Sequence, residues 1–158
     1  MPPVLLLDNT ILSNFGHVKR PDILFDLWGP LLHTTRPVME EYKNGVLGRA
    51  LSARAWENLP ILEPAPAEVA FAAQLPGDLG DGERSCLAIA IPRQGWIATD
   101  DLKARLVARK YGIGVTGTVG ALQEAFKQQI LDARAANRLL QKMIAAGYRS
   151  PVRNLGEI

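Results

Sequence analysis

One cysteine, Cys86, and two histidines, His17 and His33, are all the thiol and imidazole groups in the 158 residues. Such a chain can form no internal disulfide, no cysteine-held zinc or iron–sulfur centre and no histidine-rich metal site. A metal, if one is used, must sit on oxygen. Long apolar runs are also missing, and none approaches the ~20 residues of a membrane-spanning helix. The first residues lack the basic stretch and small-residue cleavage site of a signal peptide, so the cytoplasm is the expected location and a membrane is not an expected partner. What is present is an ordinary globular composition, 47% hydrophobic and 22% charged. That profile excludes disordered and collagen-like chains and suits one domain with a core of its own.

The net charge of +2 conceals an uneven distribution. Residues 61 to 101 carry seven acidic and two basic groups, whereas residues 102 to 158 carry three acidic and ten basic. An acidic middle followed by a basic end suits a protein that holds a cation and binds a polyanion, although a basic helix face is often no more than a solvated surface.

Short apolar runs alternate with helical patterns along the chain. Val4 to Leu7, Leu31 to Thr34, Ile61-Leu62, Trp96 to Thr99 and Ile113 to Thr116 read as five strands. Between and after them, Thr10 to Phe15, Ile23 to Trp28, the stretch after Thr35, Ala67 to Leu75, Glu83 to Ile91, Leu102 to Tyr111, Thr118 to Gln128 and Asp132 to Ala146 read as helices. Thr35 is a cap and Pro37 belongs in a first turn. Strands that alternate with helices of this length imply a mainly parallel sheet covered on both faces, a three-layer α/β/α architecture. Residues 1–148 form the expected domain and 149–158 a tail.

The acidic residues fall where such a fold gathers function, just past the carboxyl ends of strands. Asp8 follows the first strand, and Asp100 and Asp101 follow the fourth. Glu40 and Glu41 lie in the first turns of one helix, and Glu83 opens another. Each position also has a local explanation, because helix starts favour caps and negative charge. The set is what favours chemistry. Two carboxylates ~4 Å apart repel by ~4 kcal/mol at an effective dielectric of ~20, and a hard divalent cation such as Mg²⁺ or Mn²⁺ removes that conflict.

Asp8-Asn9-Thr10 after an apolar strand, Thr34-Thr35-Arg36-Pro37-Val38-Met39-Glu40-Glu41-Tyr42, Asp81-Gly82-Glu83-Arg84-Ser85, Ala98-Thr99-Asp100-Asp101 with Lys103-Ala104-Arg105, and Gly117-Thr118-Val119-Gly120 occur in that order. The ordered set resembles the PIN domain, most closely the short prokaryotic proteins of the VapC toxin type, over almost the whole chain. The resemblance implies a five-stranded parallel sheet and a Mg²⁺- or Mn²⁺-dependent ribonuclease site. Carried over by position, Asp8, Glu41, Glu83 and Asp101 are the expected catalytic and metal-holding acids, with Asp100 close behind and Glu41 a better match than Glu40. Thr10 and Thr99 are the expected supports of Asp8 and Asp101, and Lys103, Arg105 and Arg109 the candidate phosphate contacts. RNA is the implied partner, together with a second copy of the chain and, for a toxin, an antitoxin protein. Relatives often carry an acid two residues after the glutamate of the "GE" pair, where this chain has Ser85. That ligand is then lost, or supplied by Glu83 or Asp81. A PIN-like scaffold that binds RNA or protein with little or no catalysis is the rival reading.

Other signals are weaker. Gly112, Gly114 and Gly117 spell G-x-G-x-x-G, but a helix precedes the pattern and a strand occupies it, the reverse of a dinucleotide site. Thr10 stands where a phosphatase of the haloacid dehalogenase type needs its second aspartate. Cys86, within an apolar helix, reads as a buried, inert thiol, and the two histidines, single in their stretches of sequence, read as structural.

Overall fold

Leu5–Leu7 are three consecutive buried leucines and form strand β1. An apolar run without alternation suits a strand covered on both faces, each leucine contributing about 1.5–3 kcal/mol on full burial. The computed structural model describes residues 3–48, 52 and 54–157. Within them β1 pairs in parallel with β2 (Leu32–His33) on one side and β3 (Trp96–Ala98) on the other, and β4 (Gly114–Thr116) extends the sheet beyond β3. The order β2-β1-β3-β4 reverses direction between β1 and β3, where Leu5 pairs with Trp96 and Leu7 with Ala98. The two strands that end in Asp8 and in Thr99-Asp100-Asp101 are therefore neighbours.

Five strands were the expectation, and four form among the described residues. The stretch expected as the remaining strand makes a single parallel bridge, Thr34 with Ile61. Thr34 N–H donates to the Pro60 carbonyl and Leu62 N–H to the Thr34 carbonyl, each at 2.9 Å. The ladder goes no further because Pro60 and Pro64 flank it and neither has an N–H to donate.

Helices α1 (Asn9–His17), α2 (Asp22–Trp28), α3 (Arg36–Gly48), α4 (Pro66–Ala72), α5 (Asp81–Ala90), α6 (Leu102–Lys110), α7 (Thr118–Lys127) and α8 (Ala133–Ala145) fill the intervals. α5 packs on β1 and β3, α2 on β2, and α6 on β4. Local chemistry sets several starts. Asp8 caps α1, Asp101 caps α6, and the Thr35 hydroxyl accepts from Val38 N–H at the head of α3. A half-buried ion pair, Arg93 with Glu68 at 2.7 Å, ties α4 to the chain beyond α5. After α8, Gly147 adopts a φ of +115°, which lets the chain turn and brings Tyr148 N–H to the Met143 carbonyl at 3.0 Å. In the segment expected as a tail, Val152 and Leu155 pack against the core and Leu155 N–H donates to Asn137 Oδ1 at 2.8 Å. Residue 158 lies outside the described residues. No helix among the described residues is long and apolar enough to cross a membrane.

Candidate active site

Asp8 sits at the turn from β1 into α1 and is 1% exposed. Its Oδ1 accepts from Asn9 N–H at 2.7 Å, and its Oδ2 from the Thr99 hydroxyl at 2.6 Å. Burial, reinforced by the charges of Glu83 and Glu41, pushes its carboxyl up to about 7 against the pull of those two hydrogen bonds. At neutral pH this group is therefore divided between its charged and neutral forms.

Glu41 arrives from α3 and Glu83 from the first turn of α5. The Glu83 carboxylate lies over Gly80, and Gly82 explains how Asp8 and Glu41 come so close. A Cβ at that position would lie 2.9 Å from Glu41 Oε2 and 3.6 Å from Asp8 Oδ1, with Val38 Cγ2 at 3.3 Å. The bare backbone of α5 thus passes beneath the carboxylates of β1 and α3. Partial burial, then the charges of Glu83 and Asp81, raise Glu41 as well. Glu40 and Glu41 are both exposed residues, and it is the Glu41 carboxylate that reaches over Gly82. Ser85 points elsewhere: its hydroxyl donates to the Gly82 carbonyl at 2.7 Å and lies 2.6 Å from that of Thr35. It pins α5 to the head of α3 and adds no charge.

Thr99 joins Asp8 to the end of β3. While donating to Asp8, its hydroxyl accepts Asp101 N–H at 3.1 Å. Asp101 spends Oδ2 on Ala104 N–H at 2.9 Å, as the cap of α6. The adjacent Asp100 has a different set of partners. Its Oδ1 accepts from Thr118 N–H at 2.9 Å, and its Oδ2 from the Thr118 hydroxyl at 2.6 Å and Asn14 Nδ2 at 3.3 Å. Gly117 precedes α7 with no side chain to cap it, and Asp100 does so from the end of β3. Thr10 acts on this second aspartate, accepting Asp100 N–H at 3.0 Å.

Two of the three basic residues expected to meet phosphate have partners within the chain. Lys103 Nζ pairs with Asp78 at 3.0 Å, and Arg105 Nη1 donates to the Thr99 carbonyl at 2.8 Å. Arg109 is exposed in the last turn of α6. A groove of about 1200 Å³ holds Glu83, Asp100, Asp101, Lys103 and Arg105, and its far wall is Tyr148 and Arg149. Sequence reasoning missed those last two, which lie outside every strand-end pattern. It also missed Asn14, whose one visible signal is a polar residue between the apolar Leu12 and Phe15.

The donor set is all carboxylate, hydroxyl and carbonyl oxygen, which suits a hard cation. Among the described residues no group of three or more His, Cys, Asp or Glu is spaced as a ready ligand shell. A cation that keeps several of its own waters, as Mg²⁺ does, fits an open set of this kind.

Compared with known protein families, residues 4–158 match the model of one described as a PIN domain. No curated protein and no solved structure matches the chain.

Proposed function

The chain belongs to the PIN domain family, and from that premise we propose that it is a metal-dependent ribonuclease cutting single-stranded RNA at the acidic crevice. The observation that carries this reading is the meeting of Asp8 and Glu41 over the backbone of Gly82, with Glu83 next in the chain. Stability alone gives no reason to gather like charges, because close carboxylates repel unless a proton or a cation comes between them.

In this reading Asp8, Glu41, Glu83 and Asp101 hold one or two Mg²⁺ or Mn²⁺ ions, with Asp100 behind them. When bound, the metal supplies Lewis acidity toward water and phosphate oxygens. The protein's own residues do the rest. Thr99 fixes the Asp8 carboxylate and the Asp101 backbone in one register, so the two acids move together. Asp100 locks α7 against β3 and keeps the groove wall in place. Asp8, with its raised pKa, holds a proton at neutral pH that an arriving cation would have to displace. In the VapC-type version of this reading, the protein is a cytoplasmic homodimer. Its antitoxin inserts a basic side chain among the carboxylates.

The test is cleavage of single-stranded RNA with Mn²⁺ or Mg²⁺, with EDTA, and with Asp8→Asn. The expected result is metal-dependent cutting, abolished by EDTA and by the substitution. Ser85, uncharged where relatives often carry an acid, favours a second reading, a scaffold that binds RNA without cutting it. On that reading, binding would be indifferent to both treatments.

A further inference from the structure

Beside the acidic groove lies a second depression of about 770 Å³. Its size falls within the roughly 300–1,000 Å³ of small-ligand pockets. One wall is α1, where Asn9, Ser13 and His17 recur every fourth residue and so share a face. The opposite wall is the end of α8 and the turn after it: Ala146, Tyr148 and Arg149. Thr10, Asp100, Tyr148 and Arg149 border both depressions, so the hollow and the acidic groove meet across one shared saddle.

The chemistry changes across that saddle. On the groove side are Glu83 and Asp101, on the saddle Asp100, and in the hollow the amides of Asn9 and Asn14, the Ser13 hydroxyl and the His17 imidazole, groups that hydrogen-bond or stack without demanding a charge. Nucleobases and sugars of single strands are recognised by such groups. The saddle itself carries Arg149, which is exposed and takes part in none of the ion pairs among the described residues. Its place is set by local structure. Gly147 turns the chain at the end of α8, and Tyr148, half-buried beside Asp100, anchors the turn. Lys103 and Arg105 already have partners of their own, an aspartate and a backbone carbonyl. Arg149 is thus the guanidinium on the saddle with its donors open to a phosphate.

We propose that the hollow between α1 and the turn after α8 is a nucleotide subsite adjoining the acidic crevice, with Arg149 at its lip holding the phosphate that links the two. The proposal rests on the nuclease reading and deepens it by assigning the strand's path.

The experiment measures binding of labelled single-stranded oligoribonucleotides of increasing length to the full-length Asp8→Asn protein in Mg²⁺, over a salt series. Arg149→Gln is expected to weaken binding about tenfold, as loss of a charge-assisted hydrogen bond does, and to lower the slope of log K against log salt by about one. Arg149→Lys restores the slope. Ala146→Trp, at an exposed position that projects into the hollow, removes the affinity gained from the nucleotide that occupies it. An unchanged slope in Arg149→Gln, an unchanged length dependence in Ala146→Trp, or no oligonucleotide binding at all overturns the proposal. Wild-type cleavage with inert Arg149 and Ala146 variants sinks the subsite alone. Binding that responds to both variants without any wild-type cleavage sinks the nuclease reading and leaves the subsite standing.

Discussion

Asp8 and Thr99, 91 residues apart in sequence, are joined by a 2.6 Å hydrogen bond that is buried at both ends. The same hydroxyl accepts the Asp101 N–H, so one side chain couples the acid after β1 to the acid after β3. Thr99→Val removes the donor and the acceptor together, in a site with no exposure. The expected cost is about 1–3 kcal/mol of stability at pH 8, together with a further rise of the Asp8 pKa, since the hydroxyl holds that pKa down. Thr99→Ser restores both. Urea denaturation of the two variants and carboxyl titration by NMR check this.

Asp8 titrates at about 7 in the folded chain against 3.8 when unperturbed. Between those values the folded state holds a proton that the unfolded state has released. Stability of the metal-free protein therefore falls as pH rises from about 4 to about 7 and is level above. The contribution of this one group approaches ~4 kcal/mol. Asp8→Asn removes that slope and is more stable than wild type at pH 8 while inactive on RNA. Denaturation midpoints of the two proteins at pH 5 and pH 8 give the comparison.

Gly82 is where the carboxylates pass over bare backbone. Gly82→Ala places a methyl 2.9 Å from Glu41 Oε2, and the flexible glutamate must swing away. Overall stability should change little, because alanine gains helix propensity of up to ~1 kcal/mol over glycine. Mn²⁺ affinity should fall about tenfold, the scale on which metal sites lose affinity when a neighbouring group is disturbed. Calorimetric titration against thermal unfolding separates the two effects.

Divalent cations should raise the unfolding temperature, and more at pH 8 than at pH 6, because at the lower pH the proton on Asp8 competes with the metal. At a hundredfold excess over Kd the gain is about 2.7 kcal/mol. In Asp8→Asn it should be largely lost. Thermal scans with and without Mn²⁺ at the two pH values measure it.

The features legible in the sequence are those fixed by local chemistry. Asp8 after an apolar run, Thr35 and Pro37 at a helix start, and Thr99-Asp100-Asp101 between strand and helix are each readable from a few neighbours. They give the alternation of strands and helices and the positions of the acids. The neighbouring of β1 and β3 is not readable from local pattern, because parallel pairing is set by tertiary packing. Ile61-Leu62 looked like a strand by composition, yet its flanking prolines leave one bridge. Asp100 and Asp101 are adjacent and chemically identical. Only the structure separates their partners, Thr118 and Asn14 for one and the start of α6 for the other. Tyr148 and Arg149 were not legible at all. They reach the groove because Gly147 turns the chain beyond α8, a long-range consequence no local pattern announces.

The central claim is that the carboxylates around Asp8 gather a divalent cation, and a crystal soaked in Mn²⁺ and measured for anomalous scattering tests it most directly. The expected result is a manganese peak in contact with Asp8, directly or through one water, with Glu41 or Asp101 also in its surroundings. A peak only at other carboxylates, or none at millimolar Mn²⁺ and neutral pH, would contradict it.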